Sequence, residues 1–421
     1  MVEGGSDWVG ANVCHVNRRP RLLVLNQYYK PGVEATANLL AELCEALAAD
    51  YDVTVVTGRV RDREELPTKE MLDGVRVLRT RSTSFDRARL HLRALNYATY
   101  LADSAFRSLT TKRPDAVLVL TDPPMIGDIG LLVARRFGVP LVVVSEDVFP
   151  EIAVELGRLQ NPLLVGLLRV MVETYLRRAD RIVAIGETMR VRLEAKGAPP
   201  GRLRVIENWV DTNRISPQPR VNAWSRENGL AEGFVVMHSG NVGHAQDVAT
   251  LIRAVSFLRD LSDLRVVVIG SGAMHAEAIA LAIRLETANV TFLPYQPRDV
   301  LSESLSSAHL HYLGLTKGLS GFVVPSRAYG VLSAGRPLLV SADESCETAR
   351  IVRQADCGIV VSPGRPELVA GAIRDAYEGH FDLEGMGVRG RAYVEVEADR
   401  EVAIGHYRDL LSELVGSRSR N

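Results

Sequence analysis

Phe234-Val235-Val236-Met237-His238-Ser239-Gly240-Asn241-Val242-Gly243-His244 is the stretch on which the reading of this chain turns. Phe234 to Met237 is a short apolar run of strand type. It breaks into two glycines, after which Val248, Leu251, Ile252, Val255 and Leu258 recur at helical spacing. A buried strand, a glycine turn and an amphipathic helix in that order form the repeating unit of parallel α/β sheets. The glycines let the backbone come close to a ligand and the helix start presents free N–H groups, so the turn suits a phosphate; a plain tight turn is the competing reading.

The same unit recurs on both sides. Strand-like runs at Leu264 to Ile269, Val290 to Leu293, Leu310 to Leu313, Pro337 to Val340 and Ile359 to Val361 follow it, again alternating with amphipathic segments. Upstream, Leu22 to Leu25, Val53 to Val56, Ala116 to Leu120, Leu141 to Val144, Ile182 to Ile185 and Leu203 to Ile206 repeat the pattern, with Leu39, Leu40, Leu43 and Leu47 on one helix face and Glu42 and Glu45 facing away. The polar, proline-containing run Asp211 to Ala223 reads as a linker. The chain therefore divides into a tail at 1–19, a doubly wound α/β domain at 20–212, a second at 213–390 and a charged helical end at 391–421.

The 421 residues are 47% hydrophobic and 24% charged, which suits two to three globular domains of about 150 residues and excludes a disordered scaffold. Fifty basic against 51 acidic residues exclude bulk electrostatic binding of nucleic acid. Cys14, Cys44, Cys346 and Cys357 lack metal-finger spacing and read as reduced thiols. With no signal-peptide pattern at the start and no long apolar window, a cytoplasmic protein is expected. Leu163 to Leu176, after a helix start at Asn161-Pro162, reads as a buried or interfacial helix, with peripheral membrane docking as the alternative. Arg76, Arg79, Arg81, Arg87, Arg89 and Arg93 face a single acid, Asp86; this segment is either a solvated surface or a site for an anionic acceptor or lipid head groups.

Ligands of open α/β sheets lie beyond the carboxyl ends of the strands. Gly270-Ser271-Gly272 fails as a dinucleotide fingerprint because His275 occupies the last glycine position, so it reads as a tight turn. Gly318 to Arg327 is a glycine-containing segment before a helix, flanked by Lys317 and Arg327, and suits an anion. Asn26 to Thr36 forms a loop after the first strand. Phosphate-type loops on two facing domains imply a nucleotide-containing substrate between them. His309 and His311 read as ordinary sheet residues, and His244 as either a donor contact or a surface cap.

Five segments then acquire a common meaning. Asn26-Gln27-Tyr28-Tyr29-Lys30-Pro31-Gly32 with Ala35-Thr36, Val144 to Glu151, Ile206-Glu207-Asn208-Trp209-Val210-Asp211, Ser239 to Gly243, and Pro325-Ser326-Arg327-Ala328-Tyr329 with Ser333 to Pro337 stand in one order. Together they resemble the retaining sugar-nucleotide glycosyltransferases of family 4, nearest the branch that makes bacterial surface polysaccharides of the colanic-acid type. The resemblance spans about residues 21 to 415. It implies the GT-B architecture, two Rossmann-like doubly wound parallel-sheet domains facing a central cleft. The acceptor would lie mostly in the first domain, the donor mostly in the second, and the C-terminal helix would return to the first.

The resemblance also implies roles. Gly240, Asn241, Val242 and Gly243 would lie against the donor diphosphate with Val323, Val324 and Ser326; Tyr295 and Gln296 would lie near the base, and Glu347 near the ribose or the phosphate-binding segment. Asp147 and Glu151 would stand on the acceptor side with Gly32, Glu34 and Thr36, Asp147 orienting the acceptor. Many members carry two acids where this chain has Phe322 and Gly330, and an Arg and a Lys where it has Asn241 and Gln246. Lys317 and Arg327 are the substitutes for that lost positive charge. With no Asp-x-Asp in a donor loop, no metal and no cofactor is implied. The expected activity is transfer of a hexose or amino sugar from a nucleoside-diphosphate sugar, a UDP-sugar foremost, to a hydroxyl of a sugar, a lipid-linked acceptor or a small natural product. A sugar-nucleotide-binding partner without transferase activity is the alternative, motivated by the missing acid and basic pairs.

Overall fold

The computed structural model describes residues 18–32, 35–60, 63, 65–83, 85 and 90–418. Its strands are β1 (Arg21–Leu25), β2 (Asp52–Thr57), β3 (Lys69–Leu72), β4 (Val75–Arg79), β5 (Ala116–Leu120), β6 (Leu141–Ser145), β7 (Arg181–Ala184) and β8 (Leu203–Val205) in the first half. The second half contributes β9 (Phe234–Ser239), β10 (Leu264–Ile269), β11 (Val290–Leu293), β12 (Leu310–Gly314), β13 (Leu338–Ser341) and β14 (Gly358–Val361). They form two sheets, ordered β3-β4-β2-β1-β5-β6-β7-β8 and β11-β10-β9-β12-β13-β14. Every pairing is parallel except β3 with β4. β5 and β6 are buried along their whole length because helices cover both faces, which is why they read as continuous apolar runs.

The β3–β4 hairpin is absent from the sequence reading. Its turn, Asp73-Gly74, has φ of 50° and 80°, the left-handed pair that a two-residue hairpin requires. Arg76 and Arg79, expected on a loop or helix surface, therefore lie on a strand. Glu42 and Glu45 do not simply face solvent either: Glu42 accepts the indole N–H of Trp209 (3.1 Å), and Glu45 is paired with Lys30.

The helix Pro162–Arg178 is capped as expected by the Asn161 side chain. Only Val172, Tyr175 and Leu176 are buried, whereas Leu163, Leu164, Leu167 and Val170 are exposed, so its first half stands clear of the core. No described helix is long and apolar enough to cross a membrane. The charged end forms two helices, Leu383–Glu397 and Arg400–Arg418, rather than one. Tyr407, Leu410, Leu411 and Leu414 of the second join the core of the first domain, and Arg408 donates to Asp50 and to the Ala46 carbonyl.

The domains also meet through buried charge. The Glu347 carboxylate, wholly buried at the start of helix Glu347–Ala355, accepts the Thr188 N–H (2.7 Å) from the first domain and pairs with Arg350. Arg350 in turn donates to Glu207 (2.9 Å), which also accepts from the hydroxyls of Tyr329 and Tyr393 (each 3.1 Å). A Cβ at Gly186 would come within 2.8 Å of Glu347, so this contact needs glycine there. Loss of the buried acceptor should cost more than loss of a surface pair. We expect Glu347→Ala to destabilise by about 1 to 3 kcal/mol in denaturant unfolding. Arg190→Ala, which removes half-exposed surface pairs to Glu187 and Glu194, should cost less than about 1 kcal/mol.

Candidate functional site

Loops at the carboxyl ends of β9, β10 and β12 converge. Gly240, with φ of 140°, donates its N–H to the Ile269 carbonyl (2.9 Å), and Val242 donates to Ser271 (2.9 Å). A Cβ on Gly270 would stand 1.9 Å from the Gly240 oxygen, and one on Gly272 would stand 2.4 Å from the Val242 oxygen. Gly270-Ser271-Gly272 is thus the bed on which the Gly240 loop lies. That loop is closed by Gln246, whose amide oxygen accepts from the Gly243 N–H (3.1 Å) and the Asn241 side chain (3.4 Å). Asn241 and Gln246 are bonded to one another.

Arg327 lies against this loop, its Cδ 3.2 Å from where a Gly240 Cβ would be. One guanidinium N–H donates to the Gly314 carbonyl (3.2 Å), another lies 3.3 Å from His238 Nε2, and Nε has no partner. Among the described residues no carboxylate pairs with it. Burial pushes its pKa down only to about 10, so it remains a cation at neutral pH. His238, fully buried, is pushed far below the usual imidazole range by burial and then by Arg327, and stays neutral. Sequence reasoning missed this support; the signal was a histidine ending an otherwise apolar buried strand. An uncompensated guanidinium held beneath a glycine turn is a receptor for an anion.

Tyr295 covers the Gly270 turn, its ring 3.3 Å from a Cβ there and its hydroxyl 3.4 Å from the Ser271 carbonyl, and it is 54% exposed. Its open face is a platform for a flat ring. Gln296 is turned elsewhere, accepting from the Trp224 indole (2.8 Å). Lys317, exposed and without an ion pair among the described residues, is held near the loop by Thr316, which donates to the Ala245 and His244 carbonyls (each 2.9 Å). Glu347 has both oxygens hydrogen-bonded at the domain interface, to the Thr188 N–H and to Arg350. The helix after the glycine loop begins at Val248 behind Asp247, an acid, which weakens its N-terminus as the anion receptor.

Across the cleft, Asp147 forms an antiparallel bridge with Val323, and the Val148 N–H donates to the Phe322 carbonyl (2.9 Å). Phe322 packs on the first domain's core, with the Arg192 guanidinium 4.5 Å above its ring. Phe322 is thus an apolar clasp between the domains. Space at Gly330 opens toward Leu305 and Ile215, so a side chain there would meet apolar neighbours. Beside the bridge lies a cavity of about 150 Å³ lined by Thr36, Asp122, Glu146, Asp147, Asn208, Val324 and Ser326, among others. Desolvation by the surrounding cleft raises Asp147, whose surface is still exposed to solvent, to about 6, and desolvation together with Asp147 raises the half-buried Glu146 to about 8. Glu146 is a second residue missed from sequence.

Glu151 stands outside this cavity. Burial acts to raise its pKa, but Lys196 (2.7 Å) and Arg169 (3.1 Å) hold it below the usual carboxylate range. Gly32 closes a turn on the Tyr29 carbonyl, and Glu34 lies outside the described residues. His309 accepts the Val235 N–H (2.9 Å) and His311 bonds the Leu305 carbonyl (2.8 Å), so both act in the sheet.

Two family profiles match: "Glycosyl transferase 4-like domain" over residues 32–209 and "Glycosyl transferases group 1" over residues 221–391. The chain belongs to the GT4-type glycosyltransferases of the GT-B fold. It is 26% identical over 314 residues to a Pseudomonas aeruginosa protein named as the glycosyltransferase WbjE, covering 72% of this chain and 76% of that one. It is 23% identical over 319 residues to the Escherichia coli protein named as the colanic acid biosynthesis glycosyl transferase WcaI, covering 73% and 77%. Among solved structures, Anabaena HepE in complex with UDP superposes with a TM-score of 0.70 at 15% identity, over 94% of this chain and all of that one.

Because Glu146 is held protonated in the fold, its proton is lost on unfolding between pH about 4.5 and about 8. The stability it contributes is present below the lower value and lost as pH rises through the upper one. Glu146→Gln should therefore flatten the decline of melting temperature across that window and raise it most at pH 8.

Proposed function

We propose that the protein is a retaining, metal-independent glycosyltransferase that moves a sugar from a nucleoside-diphosphate sugar, with UDP-sugars favoured, to a hydroxyl acceptor in bacterial polysaccharide or glycoconjugate assembly. One observation carries this reading: the Arg327 guanidinium, without a carboxylate partner, lies under the Gly240 turn. The donor's diphosphate would supply its missing counter-charge. Tyr295 would carry the base, and the UDP bound by HepE supports a uridine donor.

Breaking the anomeric C–O bond leaves its electron pair on the diphosphate. Arg327 and Lys317 would stabilise that charge where relatives use residues at the positions of Asn241 and Gln246, so the positive charge is available without a metal. The acceptor oxygen would attack from the face the diphosphate leaves, passing its proton to a donor phosphate oxygen. Asp147 would orient the acceptor from the cavity across the cleft, and a hexose or amino sugar would occupy the space between. A cytoplasmic location with peripheral membrane contact fits the exposed Leu163, Leu164, Leu167 and Val170 beside Arg158 and Arg169. The second reading, a non-catalytic sugar-nucleotide-binding partner, rests on the clasped Phe322 and the amide pair at Asn241 and Gln246.

A screen of UDP-, GDP-, dTDP- and ADP-sugars for nucleoside diphosphate release, with and without EDTA, separates the readings. We expect release with one donor, unaffected by EDTA, and a product with the donor's anomeric configuration by NMR. Donor binding without release or transfer would favour the non-catalytic reading. Arg327→Ala should lower turnover by about 100-fold, as loss of one charge-stabilising group does.

A further inference from the structure

One ring nitrogen beneath the glycine loop serves two neighbours with opposite needs. His238 lies one residue from the end of β9 and has no exposed surface. Its Nε2 stands 3.3 Å from the Asn241 carbonyl oxygen and 3.3 Å from Arg327 Nη1. A carbonyl only accepts and a guanidinium only donates, so the first contact is a hydrogen bond when Nε2 carries the proton and the second when it does not. The other ring nitrogen, Nδ1, is buried without a partner. Neither neutral tautomer therefore satisfies every group around the ring. Among the described residues no other donor reaches the Asn241 carbonyl, and Arg327 has an unmet Nε besides. His311, in the same sheet, shows the contrast. Its Nε2 meets the Leu305 carbonyl (2.8 Å) and no cation, which fixes the proton on that nitrogen.

Relative strength decides which contact His238 makes. A hydrogen bond from a charged donor is roughly twice as strong as one between neutral groups. With the site free, the Nε2 lone pair therefore faces Arg327 and the ring proton sits on Nδ1. An anion at the Gly240 turn reverses the balance, because it meets the guanidinium's donors and releases Nε2 to the carbonyl. We infer that His238 is a tautomeric switch: it accepts from Arg327 when the anion site is free and donates from Nε2 to the Asn241 carbonyl when the site is filled, so that occupation fixes the Gly240–Gly243 loop. The inference rests on the donor reading above, in which the anion is the diphosphate. The exchange is neutral, since one proton leaves Nδ1 for water, one reaches Nε2 from water, and the ring charge is unchanged. The loop is built to respond. The peptide joining Asn241 to Val242 is held at its N–H by the Ser271 carbonyl (2.9 Å), and the Asn241 side chain and the Gly243 N–H share the Gln246 amide oxygen, which leaves the Asn241 carbonyl as the untied point. His238 is thus a positioning residue that acts through Arg327 and Asn241.

Nitrogen NMR of the full chain carrying nitrogen-15 histidine reads the tautomer directly. We expect one imidazole to move its proton from Nδ1 to Nε2 on saturation with UDP, its signals being those missing from His238→Gln and from His238→Phe, while His311 stays protonated on Nε2 throughout. Pyrophosphate, the anion without the base, should cause the same change. By calorimetry His238→Phe should bind UDP about tenfold more weakly, as loss of one net hydrogen bond predicts. His238→Gln, whose amide offers both an acceptor and a donor, should recover most of that affinity; a packing role alone would favour Phe in so apolar a site. Bound UDP with none of the nine histidines changing tautomer overturns the inference and leaves the donor reading standing. UDP binding by His238→Phe as tight as by the unaltered chain does the same. Failure of UDP to bind removes the donor reading, and the pyrophosphate spectra then decide the switch alone; binding of neither ligand overturns both.

Discussion

The loops at the ends of β9, β10 and β12 are organised around one guanidinium that has no carboxylate partner among the described residues. Arg327 is held in place by a neutral imidazole and a backbone carbonyl, neither of which cancels it. Keeping His238 neutral requires its complete burial at the end of β9, and letting the guanidinium meet a ligand requires a residue without Cβ at position 240. Gly240 can take its path only because Gly270 and Gly272 let the neighbouring turn lie directly beneath it. Strand, turn and helix therefore cooperate to aim a cation at the cleft.

The cavity beside the Asp147–Val323 bridge has the opposite character. Asp122, Glu146 and Asp147 gather in one small cavity, and burial keeps Glu146 protonated at neutral pH. The domains are clasped so that these carboxylates face the donor loops. The bridge of Asp147 with Val323 joins the two domains, Phe322 packs under Arg192, and Glu347 ties the second domain to the start of helix Glu187–Ala195. Phe322 supplies an apolar anchor between the domains.

Much of this was legible in the chain itself. The parallel strands announced themselves as short apolar runs, several to the residue, because burial on both faces leaves no alternation to misread. The glycine loop, Tyr295 and Arg327 were legible because their residue types are tied to local geometry. The β3–β4 hairpin was passed over because Lys69 to Leu72 is only half-buried, although Asp73-Gly74 was a usable turn signal. Glu347 and Glu207 could not be placed from sequence: their partners lie 159 and 143 residues away, and only the packing of two domains brings them together. Arg79 likewise looked like one surface arginine among several until its strand buried it.

The central claim is that Arg327 receives the donor's diphosphate. The most direct measurement is a crystal structure of the protein with UDP bound. The account expects a phosphate oxygen within hydrogen-bonding distance of the Arg327 guanidinium and the Gly240 loop, with the uracil ring on Tyr295. UDP bound elsewhere, with Arg327 still engaged only by His238 and Gly314, would contradict it.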